Sequence, residues 1–363
     1  MEYMCTICGK RERVDSLLAR CACGGLWKLD YAPPPFERRL LDQNARGVFR
    51  YRAFLPLEDE AWRVVTLGEG GTPIVSAGGV LLKLEYLMPT LSFKDRGAAV
   101  LVARMKELGV ARAVQDSSGN AGNSVAAYCA RAGIACGIYV PEGTSPGNIG
   151  MIRAHGAECA IVPGTRDACA AACRARVENE GVYYASHVYN PYFYEGTKTY
   201  IYEIYEQLGR LPETLFLPVG NGTLFLGAMR AIGHLLDSGL ISAPPRLIAV
   251  QSERCAPLYE AYAKGKDEPA AVKPLPTLAE GIAIGAPARG REILGYIRKY
   301  GAEVILAPEE SIPAARDILA REGIFVEPTA AAVYAAYLEY KSKHGAPGEC
   351  LLPASGAGLK SAH

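Results

Sequence analysis

The residues best able to do chemistry stand together in Ser92-Phe93-Lys94-Asp95-Arg96-Gly97. The apolar spacing that follows predicts a helix over 95–108 closed by Gly109, so Lys94 stands at its mouth. An amine there opposes stability, because the positive end of the helix dipole prefers an acid. That field, with neighbouring Arg96, disfavours the ammonium and exposes the free, nucleophilic amine, which suits a lysine that forms a Schiff base. A snorkelling surface lysine is the bland reading of the same six residues.

Two glycine-bearing loops bear on that choice. The apolar run Thr214 to Val219 enters Gly220-Asn221-Gly222-Thr223-Leu224 and then a helical pattern to Leu236. Such a turn aims backbone N–H groups and a helix N-terminus at one point, a cradle for a dianion. It is neither a Walker loop nor a Rossmann fingerprint, since no Gly-Lys-Ser/Thr follows and the third glycine is missing. Asp116-Ser117-Ser118-Gly119-Asn120-Ala121-Gly122 holds the same strand-to-helix position. Its hydroxyls and N–H groups suit a carboxylate, and the Asn120 amide could donate to a phenolate oxygen. Alone, the first loop reads as an ordinary connection and the second as a serine-rich N-cap. Joined to Lys94, they describe a site for a phosphorylated carbonyl cofactor. Near the C-terminus, Ser355 carries a hydroxyl that can meet a ring nitrogen, but without the charge a carboxylate would bring.

Cys5, Cys8, Cys21 and Cys23 form a separate constellation, with Gly9 and Gly24-Gly25 supplying tight turns after each pair. Four soft ligands at this spacing suit a closed, tetrahedral, structural zinc site; four unmetallated thiols are the alternative. Cys169 and Cys173, one helical turn apart, read as small apolar packing, and His155, His187 and His234 stand isolated. The tyrosines of 183–205 read as core or subunit-interface packing.

The elements that must position these groups alternate. Strands are expected at 112–115, 135–140, 159–162 and 181–186, and helices at 121–131, 148–155, 166–178 and 195–208. Further strands are expected near Leu215, Leu247, Val304 and Cys350, with another at 80–85 leading towards Lys94. Repeated strand–helix alternation means an α/β chain with parallel-rich twisted sheets and helices on both faces. Residues 36–65 read as an arm packed on the main body. The expected division is a zinc-ribbon-like module over 1–32, a large cofactor-binding lobe of 33–106 and 207–363, and a small lobe of 107–206 carrying the Ser/Asn loop. A ligand cleft is expected between the two lobes.

Half of the 363 residues are apolar, enough for two sizeable cores. A net charge of +1 offers no basic surface for nucleic acid or an acidic membrane. No transmembrane span or secretory signal is expected. Eleven cysteines, several in Ala-rich helices, suit a reducing cytoplasm better than a disulfide framework.

Taken in order, these stretches resemble the threonine synthase family of fold type II pyridoxal-phosphate enzymes, whose fold is like that of the tryptophan synthase β subunit. Gly68 to Pro73 resembles the family's GEGxTP, Ser92 to Gly97 its SFKDRG, and Ser117 to Asn120 its SSGN. Gly220 to Leu224 resembles its phosphate loop, and Ser355 to Lys360 its TGxGLK with serine for threonine. The amino-terminal Cys module with Gly24-Gly25-Leu26 is similar to the ribbon many members carry.

The resemblance implies that Lys94 holds pyridoxal 5'-phosphate as a Schiff base and then shuttles protons. Asn120 would meet the phenolate oxygen, and Gly220, Asn221, Gly222, Thr223 and Leu224 the cofactor phosphate. Ser355 would meet the ring nitrogen, leaving it unprotonated, while Ser117, Ser118 and Gly119 would take the substrate carboxylate. The implied reaction converts O-phospho-L-homoserine and water to L-threonine and phosphate, in a homodimer acting on a small amino-acid substrate. The chain departs from the pattern at Ala121 and Leu224, where many threonine synthases carry polar residues near the substrate's own phosphate. That leaves serine or threonine deamination, or β-replacement on O-phosphoserine giving cysteine or cysteate, as alternatives; Leu278 to Ile284 also partly resembles ammonia-lyases. A catalytically silent zinc-ribbon binding protein is the alternative of another class.

Overall fold

A computed structural model describes residues 1–360. The chain folds as two compact units, one of Met1–Gly70 with Lys94–Thr197, the other of Gly71–Phe93 with the residues from Lys198 onward.

The first unit holds two sheets. Glu2–Cys5 pairs antiparallel with Arg11–Arg13 on one side and Trp27–Asp30 on the other. The second sheet is parallel, in the order Glu158–Val162, Ala135–Pro141, Arg112–Gln115, Tyr183–Tyr184. Its helices follow the local code. Asn120–Ala132 ends on Gly133 at φ 68, and Arg166–Glu180 is capped by the Thr165 hydroxyl at its start and by left-handed Gly181 at its end. The helix Lys94–Glu107 is buried on every side through its middle, with Ala98 to Ala103 and Met105 fully buried. It shares a core with Val48, Phe49, Trp62, Val65, Tyr128 and Phe193. Helix Pro191–Thr197 crosses it so closely that a Cβ at Gly196 would lie 2.0 Å from the Arg96 carbonyl oxygen. Here backbone meets backbone, and only glycine permits it.

The second unit is built on a six-stranded sheet in the order Glu303–Ala307, Arg246–Ser252, Thr214–Pro218, Cys350–Pro353, Val80–Lys83, Ile74–Ala77. All neighbours run parallel except the last, antiparallel pair. One face is covered by the helix Pro328–His344, whose Ala330 to Ala336 are buried against Phe216, Ile248, Val250 and Leu352. The alanine run lets a long helix lie close on the sheet. Among the described residues, no helix is long and apolar enough to cross a membrane.

The division differs from the expected lobes. Residues 33–70 and 94–106 lie in the first unit, because the arm residues Val48, Phe49, Trp62 and Val65 bury their side chains against the Lys94 helix. Residues 1–32 join the same core, with Tyr3 stacked on Trp27 at 6.1 Å and edge-on to Tyr192 at 6.4 Å. The expected helix 195–208 is two helices, Pro191–Thr197 and Thr199–Leu208, and the unit boundary falls at Lys198. The strand expected at 181–186 shrinks to Tyr183–Tyr184: Gly181 is spent as a helix cap, and the Ser186 hydroxyl accepts from Val188 and Tyr189 in a turn.

Candidate active site

Lys94 is the first residue of its helix and half-buried, while Asp95 and Arg96 beside it are fully buried. Ser124 Oγ donates to Asp95 Oδ1 at 2.5 Å. This bond lays the first turn of the Lys94 helix against the second turn of the Asn120 helix. Asp95 therefore supplies the acid that a helix start prefers, directly beside the Lys94 amine.

The Ser117-Ser118-Gly119 turn leads out of the strand Arg112–Gln115, with Gly119 as N-cap and Asn120 as the first helical residue. Ser117 is buried and Ser118, Gly119 and Asn120 are half-buried. At the head of the turn, Asp116 accepts from the Tyr184 hydroxyl at 2.5 Å. Burial raises its carboxyl above the ordinary range, against the downward pull of that hydrogen bond and of Arg166.

In the second unit, the strands Thr214–Pro218 and Cys350–Pro353 are parallel neighbours in register Thr214↔Cys350. Their carboxyl ends open into the loops that carry Gly220–Leu224 and Ser355, the end of an α/β sheet at which ligands gather. Gly222, at φ 77, is the N-cap of the helix Thr223–Asp237. A Cβ at Gly220 would lie 2.9 Å from Ile282 Cα, and one at Gly222 would lie 2.5 Å from Ile293 Cδ1. The turn is thus a cradle of bare backbone at the start of a 15-residue helix, suited to an anion. Ser355 is buried, its carbonyl accepts from the Phe93 N–H at 3.0 Å, and Ser92 bridges to Gly356. Phe93 is directly followed by Lys94 in the chain. Leu91, at φ 63, is the one non-glycine at positive φ among the described residues, a strained residue three positions before the amine.

The four thiols of the amino-terminal module lie with every Sγ within 4.8 Å of the others. Cys5 and Cys23 are 3.4 Å apart, and Cys8 and Cys21 3.7 Å.

A family model described as "Pyridoxal-phosphate dependent enzyme" matches residues 65–356. The chain belongs to the pyridoxal-phosphate-dependent enzyme family. It is 33% identical over 347 residues to a protein named threonine synthase from Methanocaldococcus jannaschii, covering 91% of this chain and 85% of that one. It is 35% identical over 299 residues to the threonine synthase of Mycobacterium leprae, covering 80% and 81%. Among solved structures, the processed form of threonine deaminase isoform 2 from Solanum lycopersicum superposes with a TM-score of 0.71 at 20% identity, covering 91% and 94%, which establishes the shared fold. The Gly220–Gly222 cradle fits the phosphate end of this family's cofactor, and a half-buried lysine at a helix start fits its aldehyde.

Two acids escaped the sequence reading, and His187 entered it only as an isolated histidine. Glu69, within the Gly68–Pro73 motif, is buried and accepts from Leu67 N–H at 2.8 Å and Tyr128 Oη at 3.0 Å; burial pushes its carboxyl up to about 7. His187 is buried with Nδ1 lacking a hydrogen-bond partner among the described residues, and burial, then Lys94, hold it neutral. Nothing in its sequence context marks it. Glu327 accepts from the Ser355 hydroxyl at 3.1 Å. An acid before Pro328 signals only a helix start.

Proposed function

We propose that this enzyme is a threonine synthase-like lyase. It converts O-phospho-L-homoserine and water to L-threonine and phosphate by β,γ-elimination and β-hydration. The observation that carries this reading is the set of proteins named threonine synthase that match at 32–35% identity over most of both chains. Pyridoxal phosphate, when bound, supplies the aldehyde that takes the substrate's amino group and the electron sink that acidifies its carbons.

The chain's own residues do the rest. Lys94 supplies the amine that holds the aldehyde and then carries protons between substrate carbons. Gly220, Asn221, Gly222, Thr223 and Leu224 grip the cofactor phosphate through backbone N–H groups at the helix start. Asn120 donates to the phenolate oxygen, and Ser355 meets the ring nitrogen. Ser117, Ser118 and Gly119 take the substrate carboxylate.

A second reading rests on Ala121 and Leu224. Both are buried in the first turns of their helices, so neither offers a polar atom to a second phosphate beside the cofactor's own. This favours serine or threonine deamination, or O-phosphoserine β-replacement. Supplying each substrate to the yellow, cofactor-loaded enzyme decides: phosphate release with threonine supports the first reading, and 2-oxo acid, cysteine or cysteate as sole product supports the second. The Lys94→Ala variant should keep its fold and lose the lysine-bound cofactor absorbance. A chromophore that survives borohydride-sensitive in that variant moves the linkage to another lysine, and a colourless wild type returns the chain to the silent-scaffold reading.

Cys5, Cys8, Cys21 and Cys23 are proposed to hold a structural zinc ion. A tetrahedron with Zn–S bonds of about 2.3 Å has edges of about 3.8 Å. The distances of 3.4 and 3.7 Å lie close to that edge. A homodimer in the reducing cytoplasm completes the proposal; the first rests on the resemblance and the second on eleven free thiols.

A further inference from the structure

His187 stands out because its neighbours in the turn are paired and it is not. The Ser186 hydroxyl accepts from the Val188 and Tyr189 N–H groups at 3.3 Å each, the Asn190 side-chain amide donates to Tyr183 Oη at 2.7 Å, and Asn190 Oδ1 accepts from the Tyr192 N–H at 3.1 Å. The turn is therefore held from both flanks. His187 is 6% exposed, and its Nδ1 has no hydrogen-bond partner among the described residues. A histidine kept only for packing looks different: His234 is also buried, and its Nδ1 shares a hydrogen bond of 2.6 Å with Tyr202 Oη. Leaving a buried polar atom unpaired is costly, so the bare imidazole calls for a functional explanation.

Its place in the fold identifies the partner. Within the first unit, Tyr183–Tyr184 runs parallel to Arg112–Gln115, the Ala185 N–H donates to the Val114 carbonyl at 2.9 Å, and Gln115 Nε2 donates to the Ala185 carbonyl at 2.8 Å. The two strands thus leave the sheet side by side, one into Ser186-His187 and the other into the Ser117-Ser118-Gly119 turn. The His187 ring also meets Phe193 edge-on at 5.9 Å. Phe193 in turn covers the first turn of the Lys94 helix, so closely that a Cβ at Gly97 would lie 2.3 Å from its ring. Burial, then Lys94 and Arg166, hold the imidazole neutral. A neutral imidazole has one N–H to give and one lone pair to offer, which matches an oxygen on a ligand seated between the Lys94 amine and the Ser117 turn.

We propose that His187 is a specificity-determining residue whose ring hydrogen-bonds the side-chain oxygen of the amino-acid substrate, the oxygen that departs in the reaction. The inference rests on the reading of Lys94 and the Ser117 turn as an amino-acid site. That oxygen is a hydroxyl in serine and threonine and an ester oxygen in O-phosphoserine and O-phospho-L-homoserine.

The test is binding to the cofactor-loaded enzyme, read as the rapid change in cofactor absorbance on mixing, before product forms, in wild type and His187→Phe. L-serine and O-phospho-L-serine are each compared with L-alanine, and L-threonine and O-phospho-L-homoserine with L-2-aminobutyrate, which lack the oxygen. In wild type at least one oxygen-bearing amino acid should bind about tenfold more tightly than its partner, and His187→Phe should cut that ratio by about threefold to tenfold with the partner's own affinity kept. A preference for the hydroxyl compounds or for the phosphate esters names the substrate class, and either upholds the proposal. A ratio that the variant leaves unchanged overturns it, including the case in which every affinity falls alike, as a merely structural histidine would cause. Wild type that responds to all of these amino acids without preferring the oxygen overturns the role of His187 alone. An absorbance that no amino acid perturbs overturns the amino-acid reading of the site as well. Should His187→Phe fail to take up cofactor, His187→Asn replaces it: a preference moved by threefold or more at constant partner affinity upholds the proposal, and an unmoved one overturns it.

Discussion

Replacing Lys83 by methionine tests how the second unit holds the turn that follows Gly70. Lys83 and Glu203 are 0% and 3% exposed, and Nζ lies 2.9 Å from Oε2. The same Nζ donates to the Thr72 carbonyl at 2.5 Å and to Gln207 Oε1 at 2.9 Å, while Glu203 Oε1 accepts from the Gly71 N–H at 2.7 Å. At an effective dielectric near 20, two charges at this separation attract by about 6 kcal/mol. Desolvating both ions costs several kcal/mol each, so the pair as a whole adds little net stability. Removing one member is another matter, since the carboxylate then stays desolvated without that ammonium. The expected cost of Lys83→Met is about 3–5 kcal/mol, or about 10 °C in melting temperature for a unit of this size. The double variant Lys83→Met/Glu203→Leu should recover most of that loss. The assay is a double-mutant cycle by urea unfolding, with an expected coupling of about 3 kcal/mol. Single variants that each cost under about 1 kcal/mol, with a double variant equal to their sum, would refute the reasoning.

Glu69 predicts a pH dependence of stability. Its carboxyl is raised from 4.5 to about 7 by burial, so the folded state holds the proton more tightly than the unfolded chain. The stability this confers is complete below about pH 4.5 and disappears as pH rises through 7; at 1.36 kcal/mol per unit it amounts to about 3 kcal/mol. Glu69→Gln should flatten unfolding free energy across that window, and a variant slope equal to wild type would remove Glu69 as its source. Chelation, or Cys8→Ser with Cys23→Ser, should speed amide exchange at the two cysteine knuckles and leave turnover largely intact. Tyr3 and Trp27 still anchor the module to the first unit's core. Complete loss of turnover on mild chelation would contradict a purely structural ion.

Much of the chain was legible because its signals are local. The strand at 112–115, the helix after Ser117-Ser118-Gly119 and the Thr223 helix follow from apolar spacing, glycine caps and serine-rich turns. Each is set by residues within a few positions of one another. The course of the chain through the two units was not legible in this way. Residues 33–70 join the Lys94 helix because Phe49 and Trp62 bury against it, a choice made by shape across tens of residues.

By itself, the sequence singled out the groups proposed to carry the chemistry, an amine at a helix mouth, two glycine-bearing turns and a late serine, and four thiols proposed to hold an ion. Residue type and short-range spacing set the reactivity of each, and these are properties of the covalent chain. Tertiary structure alone decided what stands behind those groups. The carboxylate of Glu327 reaches the Ser355 hydroxyl from 28 positions away, and Glu203 reaches Lys83 from 120. The burial that lifts Glu69 and keeps His187 neutral likewise exists only after folding. Desolvation and hydrogen-bond partners are properties of an environment, and no run of neighbouring residues encodes them.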